Sequence, residues 1–153
     1  MDEFDKKILK CLQEDATISN SALAEKIGLS TTPCWRRVQL LEEKGFIEKR
    51  VAIVSKKKLN LDLTVIVNIK TSKHSQEWLI NFKKSIIHIP EIVEVLRLSG
   101  ETDYSLKILV PNISEYDRVY KEIISKIDDL YDVSSSFVME EIKHTTKLPL
   151  NYV

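Results

Sequence analysis

Basic and polar side chains that could bind nucleic acid are concentrated in residues 30–58. This stretch holds eight Lys or Arg residues and three Glu residues, although the whole chain of 153 residues has a formal net charge of zero. A local excess of five positive charges can form a surface that faces phosphates. A solvated helix face followed by a lysine-rich linker would give the same charge count. Charge alone leaves both interpretations open.

A predicted helix that begins after Ser30 orients part of this basic stretch. Its inward stripe consists of three residues at helical spacing: Cys34, Val38 and Leu41. At 100° per residue, the opposite face carries Thr32, Arg36, Gln39 and Leu40. An α-helix fits the major groove of DNA, where Arg pairs bidentately with guanine and Gln with adenine. Arg36 and Gln39 are the candidates for base contacts, and an ordinary exposed helix face is the alternative.

Residues around this face suit the DNA backbone. Ser30 and Thr31 lie at the helix N-terminus, where backbone amides favour an anionic phosphate. Arg37 points toward the core flank, which also suits a phosphate. Trp35 is a further candidate, although its position about 100° from the inward stripe favours the core edge over stacking on a base. The remaining basic residues would touch only the backbone and give affinity without sequence readout: Lys49, Arg50, Lys56, Lys57 and Lys58.

Three short helices are predicted in the first 50 residues. Asp2, Ser19 and Ser30 are the expected N-caps, and Gly28 follows the second helix where a left-handed residue is needed. Two short helices joined by a glycine turn make a helix-turn-helix. Residues 46–54 then show two short β-prone runs around a charged tip, the pattern of a wing.

Residues 63–153 change to a strand-rich pattern. Strands are predicted at 63–70, 92–98, 104–110 and 133–143, with helices at 75–88 and after Ser114. The order βαββαβ is that of the ferredoxin-like split βαβ unit. The expected class is therefore α+β, with a winged helix-turn-helix domain over residues 1–60, a basic linker at about 55–62, and a second domain over 63–153.

Several classes of protein are excluded by the sequence. No apolar run approaches the roughly 18 residues that a membrane span needs, and the N-terminus is too acidic and polar for a secretory signal. Cys11 and Cys34 are expected to be reduced thiols in a cytoplasmic protein, and His74, His88 and His144 show no metal-ligand spacing. No nucleophile–base pair or glycine-rich nucleotide loop indicates catalysis. We expect a protein that is not an enzyme and has no metal or cofactor.

The order and spacing of several motifs resemble the Lrp/AsnC, or feast/famine, transcriptional regulators over essentially the whole chain. The matching stretches are Asp2-x-x-Asp5-x-x-Ile8-Leu9, Ile18-Ser19-Asn20 through Gly28-Leu29-Ser30, Pro33-Cys34-x-x-Arg37-Val38-x-x-Leu41-Glu42-x-x-Gly45-x-Ile47, Gly100-x-x-Asp103-Tyr104 and Val138 to Lys143. The resemblance implies that the N-terminal domain binds double-stranded DNA and the C-terminal domain dimerises through its sheet. It also implies further assembly, commonly to octamers, and a small amino-acid effector bound between C-terminal domains of a nucleoid-associated regulator.

Under this resemblance, the turn from Gly100 to Tyr104 is the expected effector site, and it includes Glu101, Thr102 and Asp103. The carboxylate of Asp103 can accept from the ammonium of an amino acid, and amides beside Gly100 can hold its carboxylate. Alone, this turn would be an ordinary hairpin turn. In the family, residues at Ser134, Ser135 and Ser136 can approach the effector from a neighbouring chain, although plain polar strand filling is the favoured interpretation of these serines.

Two alternatives share the predicted architecture. One is a nucleoid-packing protein with little sequence preference. The other is an enzyme that resembles the sirohaem decarboxylases, which would need histidines and basic residues around a tetrapyrrole pocket in the C-terminal half. The scattered histidines and the basic outward face of the third helix disfavour the enzyme.

Overall fold

The computed structural model describes all of residues 1–153, which form two compact units. The first unit contains residues 1–53 and 142–153, and the second contains residues 54–141. The sequence predicts a division near residue 60, with 63–153 as one domain. The final segment instead belongs to the first unit, because Leu150 packs against the core of that unit. None of the helices is long and apolar enough to cross a bilayer.

The first unit is built on three helices: α1 (Glu3–Glu14), α2 (Asn20–Ile27) and α3 (Thr31–Glu43). The predicted N-caps of α1 and α2 are confirmed. The Asp2 carboxylate accepts from the Asp5 amide at 2.9 Å, and the Ser19 hydroxyl accepts from the Ala22 amide at 3.2 Å. Each cap satisfies a backbone donor that has no partner inside its helix.

A tight turn fixes α3 relative to α2. Gly28 adopts a left-handed conformation with φ of 76°, which glycine reaches without a Cβ clash. The Leu29 amide then donates to the Ala24 carbonyl at 2.9 Å, which closes the end of α2. The Asn20 side chain donates to the Thr31 carbonyl at 2.9 Å and ties the start of α2 to the start of α3. The predicted helix-turn-helix is thereby confirmed.

The inward stripe of α3 is also confirmed. Cys34, Val38 and Leu41 are buried against apolar residues of α1 and α2. Both cysteines are free and buried. Burial, with a smaller contribution from Cys11, raises the pKa of the Cys34 thiol. The reactive thiolate is therefore disfavoured, and this cysteine acts as a small core residue.

The predicted wing strands are wrong, because no strand forms between residues 46 and 54. The Phe46 and Ile47 amides donate to the Leu41 carbonyl at 2.9 and 3.2 Å, but residues 48–54 form no backbone hydrogen bond. An isolated pair of strands is marginally stable unless it packs against a core. Val51 and Ile53 are largely exposed, so the segment lacks that packing.

The second unit has the predicted βαββαβ order: β1 (Leu63–Thr71), α4 (Gln76–Ile86), β2 (Ile92–Arg97), β3 (Tyr104–Val110), α5 (Ile113–Lys126) and β4 (Leu130–Phe137). The strands form one antiparallel sheet in the order β2-β3-β1-β4. Several boundaries differ from the prediction. Asn112 caps α5 in place of Ser114, because its side chain accepts from the Glu115 amide at 3.0 Å. Strand β4 ends at Phe137, not near 143. Phe137 pairs with Val65, and the Val138 amide then donates to the Thr64 carbonyl at 2.9 Å, next to the start of β1 at Leu63.

One face of this sheet is covered by α4 and α5, and the other is open. Side chains of β1 alternate, so that Val65, Val67 and Ile69 are buried beneath the helices. The open face carries mostly polar or half-buried residues of four strands: Glu94, Leu96, Ser105, Lys107, Thr64, Ile66, Asn68, Lys70, Ser134 and Ser136. The fold thus presents a covered core face and a mixed open face.

Candidate nucleic-acid interface and ligand site

The outward face of α3 is exposed as predicted. Thr32 and Arg36 are exposed, and neither side chain has a hydrogen-bond or ion-pair partner within the chain. Gln39 is half-buried and donates to the Glu42 carboxylate at 3.2 Å. The guanidinium of Arg36 therefore has all its donors available, which a bidentate contact to a base requires.

Two large apolar side chains flank this polar face. Trp35 is 53% exposed and Leu40 is 46% exposed. The expected place of Trp35 at the core edge is wrong, because its side chain is neither part of the core of the first unit nor packed against it. Both side chains can make apolar contacts, for example with the methyl groups of thymine bases.

The N-terminus of α3 offers donors for a phosphate. Ser30 is the N-cap residue as predicted, yet its side chain makes no capping hydrogen bond. Its hydroxyl and the exposed Thr31 hydroxyl are available to a ligand. The amides of the first turn have no intrahelical acceptors, so this end of the helix attracts an anion.

Arg37 is committed elsewhere. Its guanidinium contacts the Asp2 carboxylate at 2.6 Å and the Asp5 carboxylate at 2.8 Å. The hydrogen bonds that Arg37 donates to these two carboxylates raise its pKa, and the bond to Asp5 contributes most. These bonds clamp α3 to the start of α1, so the guanidinium is less available for the predicted phosphate contact.

The other basic residues differ in their availability. Arg50 donates to the Glu42 carboxylate at 2.9 Å, whereas Lys49 is exposed without an ion pair. Lys56 pairs with Glu141 at 2.9 Å, so it is less available to DNA than the sequence predicts. Lys57 and Lys58 are exposed in a 3-10 turn of the second unit.

The turn between β2 and β3 is held by Asp103. The Leu98 amide donates to the Asp103 carbonyl at 2.8 Å, and the Asp103 amide donates to the Ile69 carbonyl at 3.0 Å. The Asp103 carboxylate accepts from the Thr71 amide at 2.8 Å through Oδ2. Its other oxygen, Oδ1, lies 4.0 Å from Nδ1 of His74. Gly100 has φ of 138°, a conformation that L side chains rarely adopt.

Asp103 therefore has a structural role that reaches beyond its own turn to the Thr71 amide of β1, a partner that the sequence did not predict. Oδ2 is occupied by the Thr71 amide, while Oδ1 remains on a side chain that is 25% exposed. Thr71 and His74 are the residues that the prediction missed at this site. Their only signal in the sequence is a polar run after β1, since the contact with Asp103 joins residues about thirty positions apart.

Two residues of the predicted ligand site belong to the core side of the sheet. Tyr104 is 4% exposed, and its ring lies 4.6 Å from that of Phe82. Ser135 faces the helices and hydrogen-bonds to the Tyr116 hydroxyl. Strand alternation places both on the covered face, so the prediction that they contact a ligand is not supported by their positions.

The remaining candidates approach one end of β1. Gly100 and Glu101 are exposed, Thr102 is half-buried, and Asp103 bonds to Ile69 and Thr71. On the other side of β1, Ser134 pairs with Asn68 and is exposed on the open face, as is Ser136. The register thus brings the turn and the serines toward the same stretch of β1 from its two neighbouring strands.

Comparisons with known proteins match the chain in two parts. Residues 1–48 match the family model of a winged helix-turn-helix DNA-binding domain, and residues 64–148 match that of the Lrp/AsnC ligand binding domain. The glutamate uptake regulatory protein of Zymomonas mobilis is 50% identical over 150 residues, which are 98% of this chain and 91% of that protein.

Two solved structures extend the likeness to the whole fold. An AsnC family transcriptional regulator from Agrobacterium tumefaciens superimposes with a TM-score of 0.96 at 53% identity, covering 99% of each chain. A transcriptional regulator from Neisseria meningitidis, solved in complex with L-Met, superimposes with a TM-score of 0.93 at 34% identity, covering 99% of this chain and 98% of that one. The chain belongs to the Lrp/AsnC family of effector-modulated, DNA-binding transcriptional regulators.

Proposed function

We propose that this regulator reads specific DNA sequences with α3 and that a small amino acid binds at the turn between β2 and β3. The observation that carries the first half is the outward face of α3. Arg36 on this face has no partner within the chain, whereas the neighbouring Arg37 is fully paired. A free guanidinium on an exposed recognition helix is the group that discriminates guanine in the major groove.

Contacts to the DNA backbone come from residues on either side of this face. Ser30 and Thr31 hold a phosphate at the N-terminus of α3, while Lys49 and Arg50 reach the backbone from the following segment. Trp35 and Leu40 add apolar contacts, and Gln39 makes a base contact if its weak bond to Glu42 opens. These interactions orient the helix, and Arg36 supplies the discrimination.

The ligand site is centred on Asp103. Its Oδ1 accepts from the ammonium of the amino acid, and the exposed amides at Gly100 and Glu101 donate to the ligand carboxylate. Ser134 and Ser136, which lie on the open face of the sheet, contact the ligand from a neighbouring copy of the chain. The family model for a ligand-binding domain and the L-Met complex of the Neisseria meningitidis relative support an amino acid as the ligand.

Assembly of the chain is expected to use the open face of the sheet. Leu96 and Leu98 are 47% and 43% exposed at this end of the unit, and Ile66 lies at the centre of the open face. A homodimer formed there would bury these apolar side chains, and further association would give an octamer. The regulator would act on the nucleoid in the cytoplasm, without a cofactor and without catalysis.

Salt dependence and a ligand screen test this proposal. Binding to the duplex upstream of its own gene should weaken steeply as salt rises, because Lys and Arg contacts release counterions from phosphates. A thermal-shift screen of the twenty amino acids should find at least one that raises the melting temperature, since a ligand that binds only the folded state stabilises it. DNA binding that does not depend on salt, or twenty flat melting curves, would contradict the corresponding half of the proposal.

A further inference from the structure

The last twelve residues, 142–153, lie along the first unit without forming a helix or strand, and we call them the C-terminal strap. One side chain of α1 holds the strap by its backbone. The Leu148 amide donates to Oε1 of Gln13 at 2.6 Å, and Nε2 of Gln13 donates to the Leu148 carbonyl at 3.3 Å. The Gln13 amide thus pairs with both backbone groups of Leu148, as a neighbouring strand would.

Two further contacts fix the strap on either side of Leu148. Leu150 packs against the core of the first unit, and Lys147 pairs with Glu14 at 3.3 Å. The hydrogen bond from Lys147 is the main reason that the pKa of Glu14 lies below its ordinary value. An apolar anchor, a reciprocal pair of hydrogen bonds and an ion pair together define one position for the strap.

The strap shares a groove with the segment that follows α3. Residues 48–53 form what we call the wing segment, and all of them except Ala52 line this groove together with Leu148, Leu150 and residues of α1. The wing segment forms no backbone hydrogen bond, and its one ion pair joins Arg50 to Glu42. The wing segment thus has few bonds of its own, and the strap forms another wall of the groove that it lines.

We propose that the strap is a positioning element for DNA binding, which holds the wing segment so that Lys49 and Arg50 reach the phosphate backbone. This inference rests on the proposed function, in which these two residues contact DNA. Leu150 and Gln13 act as positioning residues: they do not touch DNA, but they set the place of two residues that do. The DNA-binding unit is then assembled from both ends of the chain.

Salt-dependent DNA binding by full-length variants tests this role. Leu150→Ala and Gln13→Ala should weaken binding to specific and random duplexes alike. They should also reduce the slope of log affinity against log salt by about two, one for each lost Lys or Arg contact. Tyr152→Ala is the matched control, because this residue of the strap is 83% exposed and does not line the groove. Leu150→Met should keep the wild-type slope.

A tryptophan reporter separates positioning from unfolding. The chain has two tryptophans, Trp35 in the first unit and Trp78 in the second, so a Trp78→Phe background lets Trp35 report the first unit alone. In that background the strap variants should be folded at the assay temperature. Adding Lys49→Ala and Arg50→Ala to Leu150→Ala should then cause little further loss, because the contacts are already gone.

An unchanged salt slope in folded Leu150→Ala and Gln13→Ala variants would overturn the proposal, as would full additivity with the Lys49 and Arg50 substitutions. Failure of the proposed function gives a different result. In that case the wild-type protein itself would show no salt-dependent binding to DNA.

Discussion

The outward face of α3 and the turn between β2 and β3 differ in how their polar groups are used. On α3, Arg36 has no hydrogen-bond or ion-pair partner within the chain, and only the helix that carries it directs its side chain to solvent. In the turn, Asp103 bonds to backbone groups at Ile69 and Thr71, while its Oδ1 accepts no hydrogen bond within the chain. A helix can present a side chain by periodicity alone, whereas a turn needs long-range bonds to hold its shape. A substitution at Arg36 should therefore affect function only, but one at Asp103 affects both function and folding.

Charge removal at Asp103 gives the largest expected effect and tests the dual role of this residue. Asp103→Asn keeps an oxygen to accept from the Thr71 amide but removes the charge that attracts an ammonium. Affinity for the amino acid found by thermal shift should fall by about 10- to 150-fold, the 1.5–3 kcal/mol range of a hydrogen bond to a charged group. Calorimetric titration measures this loss.

Asp103→Ala provides the comparison, because it also leaves the Thr71 amide without its partner. This variant should melt at a lower temperature than Asp103→Asn in the absence of ligand. Unchanged ligand affinity in both variants would remove Asp103 from the ligand site and leave it a purely structural residue.

The outward face of α3 is tested by substituting Arg36. Arg36→Ala should reduce discrimination between specific and random duplexes by about 1–3 kcal/mol, the value of a bidentate base contact, without changing the melting temperature. Lys57→Ala is the control, because a linker lysine should weaken both duplexes alike. Competition binding measures both effects. Equal losses on both duplexes for both variants would mean that a different face of α3 meets the bases.

Arg37 should behave unlike its neighbour. Arg37→Ala breaks the clamp to Asp2 and Asp5, so it should lower the melting temperature of the first unit by roughly a few degrees, as expected for a partly exposed ion pair. Specificity for DNA should stay the same in the folded variant. Trp35 fluorescence in the Trp78→Phe background follows the melting, and a loss of discrimination like that of Arg36→Ala would place Arg37 in the DNA contact instead.

The smallest effect concerns pH and the cap of α1. The hydrogen bond from the Asp5 amide is the main cause that lowers the pKa of Asp2 in the folded chain. Because the pKa of Asp2 is lower in the folded than in the unfolded chain, its charge stabilises the first unit at pH values above its ordinary titration range. This contribution disappears as pH falls through the lowered pKa. The melting temperature of the wild type should therefore be slightly above that of Asp2→Asn at neutral pH, and the two should be equal in strong acid. A difference in melting temperature that persists in acid would exclude this charge as the cause.

Local patterns in the sequence predicted the elements and the outward face of α3, because helix periodicity and N-caps depend on residues close together in the chain. The order βαββαβ and the exposure of Arg36 follow from such patterns. Features set by distant partners were missed. The pairing of Arg37 with Asp2, the bond from Thr71 to Asp103 and the return of Leu150 to the first unit each join residues more than thirty positions apart.

The wing and the end of β4 show the same limit. Residues 46–54 include β-branched side chains but form no strand, and β4 ends with the pairing of Phe137 and Val65, near the start of β1. Tyr104 and Ser135 fall on the covered face because the register, which depends on all four strands, decides which side each residue faces.

The central claim is tested most directly by one ratio: the affinity for the duplex upstream of its own gene divided by the affinity for a shuffled duplex. Both affinities are measured at one salt concentration, with and without the amino acid found by thermal shift. We predict that the wild-type protein prefers the upstream duplex by about 10³-fold or more, the range of specific DNA-binding proteins. The amino acid should change the affinity for the upstream duplex in the wild type but not in Asp103→Asn. Equal affinity for both duplexes, with and without the amino acid, would contradict the claim and identify a DNA-packing protein instead.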